Sequence, residues 1–166
     1  MSRNTALSVV ALAVLSMLAL NFSGAATTTS TAPARHYYLT QGTFNGDHAL
    51  KACASGYHFA AAAELSDSSV ITYNKTLGRS QADDGAGPPT VAFGWVRSGY
   101  VTNSSPTNSA GQTNVPTNCN LWTSAAGSDD GEMGGFGPGT TGIEAVDFAA
   151  CDNSQGYSIG VWCVEN

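Results

Sequence analysis

"CASGYHFAAAAEL", residues 53–65, puts a cysteine at the end of what reads as a short helix, breaks at Ser55-Gly56, and resumes at once in an alanine-rich run. Upstream, "NGDHALKAC" offers Asn45 or Asp47 as the cap of a helix continuing to about Ala54, with Ala49, Leu50 and Cys53 turned inward. Gly56 is placed to end that helix, because glycine reaches the left-handed backbone region without a Cβ clash. "FAAAAEL" reads as a second helical piece, which "SSVITYNKTLG" continues. A cysteine fixed on a helix raises the question of its partner, and the chain holds three others: Cys119, Cys151 and Cys163.

The N-terminus indicates a compartment. One positive residue, Arg3, precedes an apolar run from Ala6 to Leu20 and then the small residues Ser23, Gly24, Ala25 and Ala26. That is the pattern of a secretory signal peptide over residues 1–26, cleaved after Ala25 or Ala26. The apolar run is short for a membrane span and no positive stop-transfer cluster follows it, so no membrane insertion is expected after signal removal. Residues 27–35, rich in Thr and Ser, lack apolar periodicity and read as a disordered leader. Residues 36–166 remain, about 130 residues, enough for one domain with a core of its own. The product is expected to be secreted, periplasmic or on the cell surface.

Charge excludes several partners. The chain carries a net −6, and the basic residues outside the signal, Arg35, Lys51, Lys75, Arg79 and Arg97, are scattered singly. Neither a nucleic acid nor an anionic membrane finds a basic footprint here. In an oxidising compartment four cysteines argue for two disulfides, with three pairings open. No C-x₂₋₄-C spacing is present and no histidine neighbours Cys119, Cys151 or Cys163, so a cysteine metal site is not expected. No cofactor is expected.

"HYYLT" (36–40), "VAFGWV" (91–96), "NLWTS" (120–124) and "YSIGVWCV" (157–164) read as strands. Between them lie two long polar stretches, residues 98–118 and the glycine-rich 127–142. Loops of that length in a small domain are functional or mobile. Helices first, then strands with long loops, give an α+β layout: two short helices, small antiparallel sheets and two disulfides.

The order of these pieces resembles a C-type lectin-like domain, and the C-terminal half resembles endostatin, a divergent member of that fold. "ALKACASGYHFAAAAEL" carries the likeness through Ala49, Cys53, Gly56, Phe59, Ala60 and Glu64, and "GWVRSG" through Trp95. "CNLWTS" is similar to an endostatin segment of cysteine, two residues and tryptophan. "CDNSQGYSIGVWCVEN" is similar to the endostatin ending through Cys151, Asn153, Ser154, Ile159, Cys163, Glu165 and Asn166. The same motifs resemble those of exported bacterial proteins. The resemblance implies nested pairing, Cys53 with Cys163 and Cys119 with Cys151. It also implies where calcium would sit in a sugar-binding member, and those residues are missing. Residues 98–120 contain no Asp or Glu, neither Pro106 nor Pro116 stands in the required triplet, and "EAVDFAAC" has no Trp-Asn-Asp. Calcium needs several hard oxygen ligands, so a calcium-dependent sugar site is not expected.

Other constellations read as structural. "GYSIG" matches G-x-S-x-G around Ser158, but it leads into a β-branched strand and His36, His48 and His58 all lie upstream. Asp129, Asp130 and Glu132 in "SDDGE" match no EF-hand spacing and read as a solvated acidic turn, as do Asp83 and Asp84; an unusual cation loop is the remote alternative for the first group. His58 reads as a packed or hydrogen-bonded ring. Trp95, Trp122 and Trp162 read as core. Asn74-Lys75-Thr76 and Asn103-Ser104-Ser105 are glycosylation sequons. The candidate contacts for a ligand are Tyr100, Asn103, Asn108 and Gln112 in the first polar stretch and Phe136 in the second. The function expected is a secreted binding module for an extracellular protein or glycan, without calcium. A structural component of an envelope or appendage is the alternative, and an enzyme, for which no acid, base and nucleophile set assembles, comes last.

Overall fold

Strand β7 (Gly160–Glu165) is the central strand of the fold. Its Val-Trp-Cys-Val run is apolar on both faces and buried throughout, as a strand covered on both sides must be. The chain is described by a computed structural model over residues 34–80, 85, 87–98 and 117–166. The expected signal peptide, most of the leader, Asp83, Asp84 and residues 99–116 lie outside the described residues.

One edge of β7 is taken by β1 (Arg35–Leu39), antiparallel, with Tyr38 opposite Cys163. The other edge is shared end to end. β4 (Gly94–Trp95) pairs parallel with Gly160 and Val161, and β2 (Tyr57–Phe59) pairs antiparallel with Cys163 to Glu165. β3 (Ile71–Tyr73) extends the sheet beyond β1 in parallel, while β5 (Asp130–Gly135) and β6 (Glu144–Ala150) extend it beyond β4 as antiparallel strands. The sheet is mixed, which corrects the expectation of small antiparallel sheets: β1–β3 and β4–β7 are parallel pairs. With its short helical turns and two disulfides, the domain is a small α+β fold.

The disulfides are Cys53–Cys163 and Cys119–Cys151, the nested pairing that the resemblance implies, and no cysteine is free. Cys53 is thereby fastened to the central strand. The helix expected to carry it is shorter than the sequence suggests, a 3₁₀ turn over Gly46–Lys51 that ends before Cys53, and Asn45 makes no side-chain cap. Two backbone bonds dictate its course: Phe44 N–H to Ile159 O at 3.0 Å and Gly46 N–H to Cys151 O at 2.8 Å. Ala49 is buried as expected, but Leu50 is exposed. Gly56 does take a left-handed φ of +87°, ahead of β2.

Tertiary pairing overrides local propensity elsewhere. "FAAAAEL" splits: Phe59 ends β2 against β7, and only Ala62–Leu65 forms a 3₁₀ turn. "SSVITYNKTLG" forms a 3₁₀ turn over Ser68–Val70, whose Asp67 cap accepts from the Ser69 amide, and then strand β3. The glycine-rich 127–142 stretch contains strand β5, in which Gly134 and Gly135 pair with Ala145 and Glu144. "NLWTS" is no strand; Asn120 to Trp122 close the helical turn Thr117–Trp122, and Thr123 and Ser124 follow it.

The tryptophans are core, as the sequence suggests. Trp162 is fully buried and donates its indole N–H to Gly134 O at 2.8 Å, while Trp95 donates to Phe44 O at 2.6 Å. Trp122 stands edge-on to Phe59 and Trp95, with centroids 4.8 and 5.9 Å away. The indoles of Trp95 and Trp162 each place their one polar atom on a backbone carbonyl, so these two rings are buried without an orphaned donor.

Candidate functional site

The long polar stretch enters and leaves the described fold at two anchored points. On the way out, Val96 N–H bonds Glu132 O at 3.1 Å and Arg97 N–H bonds Ala60 O at 2.9 Å. The Arg97 guanidinium stands 5.8 Å from the centroid of the Phe59 ring, a cation–π distance. Arg97, Ser98, Ala61 and Ala63 border a cleft of about 350 Å³ beside this exit.

On the return, Asn118 to Trp122 all have positive φ, between 50° and 69°, forming one turn of left-handed helix. Such a conformation costs an L-residue roughly 1–2 kcal/mol. The turn is held from three sides. Cys119 is tied to Cys151, Trp122 is packed on Phe59 and Trp95, and the amides of Thr123 and Ser124 both bond Cys119 O, at 3.0 and 2.9 Å. A Cβ at Gly131 would sit 2.6 Å from Cys119 Sγ and 2.9 Å from the Trp95 ring, so glycine lets the sulfur reach the sheet.

Of the sequence-proposed contacts, Tyr100, Asn103, Asn108 and Gln112 lie outside the described residues. Phe136 is described, and it corrects the expectation of an exposed ring. It is only 3% exposed, its ring lying 5.2 Å from Trp162 and 5.8 Å from Tyr37. The acidic group is corrected too. Asp130 and Glu132 are each 8% exposed on β5, not in a solvated turn, and Asp129 accepts the Cys151 amide through its carbonyl. Among the described residues no three His, Cys, Asp or Glu side chains are placed to hold a metal ion.

A second hollow, of about 160 Å³, lies where Val91, Phe93, Gly135, Phe136 and Glu144 meet. Val91 is 68% exposed. Tyr157, 43% exposed, continues the apolar surface with its ring 6.3 Å from Phe93. The Glu144 carboxylate lies over Gly137, where an added Cβ would come within 3.3 Å of Oε2. Sequence reading missed this hollow; the exposed apolar alternation Val91, Phe93 was its only local sign.

The titratable groups gather where β1, β2 and the end of β7 meet. His58 Nδ1 lies 2.8 Å from Asn166 Oδ1, and Nε2 lies 3.0 Å from both Glu64 carboxylate oxygens, so this ring is hydrogen-bonded as expected. Glu64 also accepts the Ala61 amide at 2.9 Å and pairs with Arg35 at 3.3 Å. Partial burial pushes the Glu64 carboxyl up, but the Ala61 amide, His58 and Arg35 together bring it below its ordinary value. His36 donates to Glu165 from its backbone and meets it with its ring, both at 2.8 Å, and this holds the exposed Glu165 carboxyl down. Burial raises the Tyr37 hydroxyl to about 12.

Two motifs have structural employment. Ser158 is exposed in the turn that leads directly into β7, without the strand–turn–helix of a nucleophile elbow, and its carbonyl accepts from Arg79 at 3.0 Å. Asn74 of the first sequon caps a turn: its Oδ1 accepts the amides of Thr76 and Leu77 at 3.1 and 3.2 Å, and its Nδ2 donates to the Tyr57 hydroxyl at 3.1 Å. Asn103 lies outside the described residues.

No protein-family model, curated protein or solved structure matches the chain. Among the described residues, no helix is long and apolar enough to cross a membrane.

Proposed function

We propose that this is an exported binding module of C-type lectin-like architecture that recognises an extracellular protein or glycan, without calcium, through the polar stretch between Arg97 and Asn118. The observation that carries the reading is the anchoring of both ends of that stretch. Arg97 is bonded to Ala60, and Cys119 is locked to Cys151 within a strained turn whose Trp122 packs on Phe59 and Trp95. Once its ends are fixed, the length and composition of a loop cost the fold little, so the stretch is free to carry recognition. The stretch is polar and free of Asp and Glu, which suits neutral hydrogen bonding rather than metal-mediated contact.

The test is capture. The native chain, and a version with residues 101–116 replaced by a short Gly/Ser linker, are applied at matched concentration to arrayed glycans and displayed extracellular proteins. Capture by the native chain alone supports the reading. Equal capture by both versions places recognition elsewhere on the domain. No capture by either, with the protein retained in an envelope fraction, favours the structural role.

A further inference from the structure

The hollow beside Phe136 belongs to none of the features above: it serves no disulfide and includes no residue of the polar stretch. Its wall is Val91, Ala92, Phe93 and Phe136, with backbone at Gly135 and Gly137, and a single carboxylate, Glu144, stands at its edge. Glu144 is exposed and joins no ion pair among the described residues. Arg79 directs its guanidinium to the carbonyls of Ser158 and Gln41. A chain with a net charge of −6 thus presents a largely apolar hollow whose one carboxylate has no counter-ion among the described residues.

We propose that this hollow binds a trimethylammonium group. Aromatic rings and a carboxylate both attract a cation, the first through the ring quadrupole and the second by direct charge. The choice among cations follows from desolvation. A primary ammonium or guanidinium entering an apolar hollow loses water from every N–H, and one carboxylate cannot satisfy them all. A quaternary ammonium has no N–H to satisfy and buries its methyl groups against Val91 and the partly exposed Phe93 ring. A hollow of about 160 Å³ is small beside ordinary ligand pockets, which suits one compact headgroup. The inference stands apart from recognition by the polar stretch, since it involves none of those residues.

The probe is choline, set against 3,3-dimethylbutan-1-ol, which has the same shape without the charge. Both are titrated into the ¹⁵N-labelled oxidised chain while the amides of Gly135, Gly137 and Glu144 are followed by NMR. Saturable shifts at these amides are expected, with choline bound about fivefold or more tightly than the neutral alcohol, a difference of about 1 kcal/mol. Glu144→Gln, a surface change that leaves the melting temperature in place, should remove that preference. Phe93→Leu, which keeps apolar volume but not the ring, should reduce it. Phosphocholine and an acetylated trimethyl-lysine amide then separate the sources of the group: tighter binding of the first assigns a lipid-type headgroup, and of the second a modified protein. Equal binding of choline and the alcohol would reduce the hollow to an apolar dimple and overturn the proposal. So would shifts confined to other parts of the chain, or no saturable shift at all.

Discussion

Removing each disulfide in turn separates two kinds of staple. Cys53–Cys163 closes a separation of 110 residues and Cys119–Cys151 one of 32. From loop-closure entropy, the first stabilises by about 4.8 kcal/mol and the second by about 3.7 kcal/mol. The gap should widen in measurement, because the short staple also holds the left-handed turn Asn118–Trp122. Each non-glycine residue in that conformation costs roughly 1–2 kcal/mol, and part of this strain is returned when Cys119 is freed. Cys119→Ala/Cys151→Ala is therefore expected to lose less than about 3.7 kcal/mol and to remain folded, whereas Cys53→Ala/Cys163→Ala loses about 4.8 kcal/mol of a total of about 5–15. Urea unfolding followed by tryptophan fluorescence measures both, since Trp95, Trp122 and Trp162 are all buried. Failure of the Cys53/Cys163 variant alone to fold would agree with this order. A larger loss from the Cys119/Cys151 variant would refute the reasoning, and with it the account of the turn as strained.

Three further outcomes are expected. Glu64 and Glu165 have folded-state pKa values below their ordinary ones, so the stability they contribute is present above the unfolded carboxylate range, near pH 4.5, and is lost as pH falls through the folded values. The melting temperature should drop below about pH 5 and Glu64→Gln should flatten that drop; an unchanged acid limb would remove the cluster from the stability account. Asn74→Ala, which strips the cap from the Thr76 and Leu77 amides and the bond to Tyr57, should cost about 1 kcal/mol in urea melts, while Thr76→Ala, which destroys the same sequon, should be close to neutral. Equal losses would mean that the cap contributes nothing. Phe136→Ala should cost about 3–5 kcal/mol, as a core ring packed on Trp162 and Tyr37 does; a loss under 1 kcal/mol would return Phe136 to the surface.

Where pattern and partner lie in the same segment, the sequence was readable. The alternating, β-branched run around Val161 and Trp162 announced the central strand, and "HYYLT" its neighbour β1. The three tryptophans are legible as core because each lies in a run that reads as a strand, although Trp122 is buried from a helical turn instead. Phe59 stands in alanine-rich surroundings that favour helix, whereas its cross-strand neighbour, Cys163, lies 104 residues away. β5 is the opposite case. "DGEMGG" has little strand propensity, and it is a strand because β4 and β6 flank it and the Trp162 indole takes its Gly134 carbonyl. Phe136 has the same cause: where local sequence reads β5 as loop, the residue that follows it reads as exposed. The left-handed turn left one faint local trace, Asn118 and Asn120, since asparagine tolerates that conformation better than most residues. Of the candidate site, the polar stretch is legible from its composition and its anchoring cysteine pair from the resemblance; the hollow joins Phe93 and Glu144, some fifty residues apart, and its one local sign is the apolar pair Val91 and Phe93.

The central claim is that the two staples carry the fold and the stretch between Arg97 and Asn118 carries recognition. Hydrogen exchange on the native, oxidised chain, with and without whichever arrayed partner it captures, tests this most directly. The account predicts that partner-dependent protection concentrates in residues 98–117, with the amides of β1 and β7 slow to exchange in both states. Protection confined to the far edge of the sheet, at Ile71–Tyr73, with residues 98–117 unchanged, would contradict it.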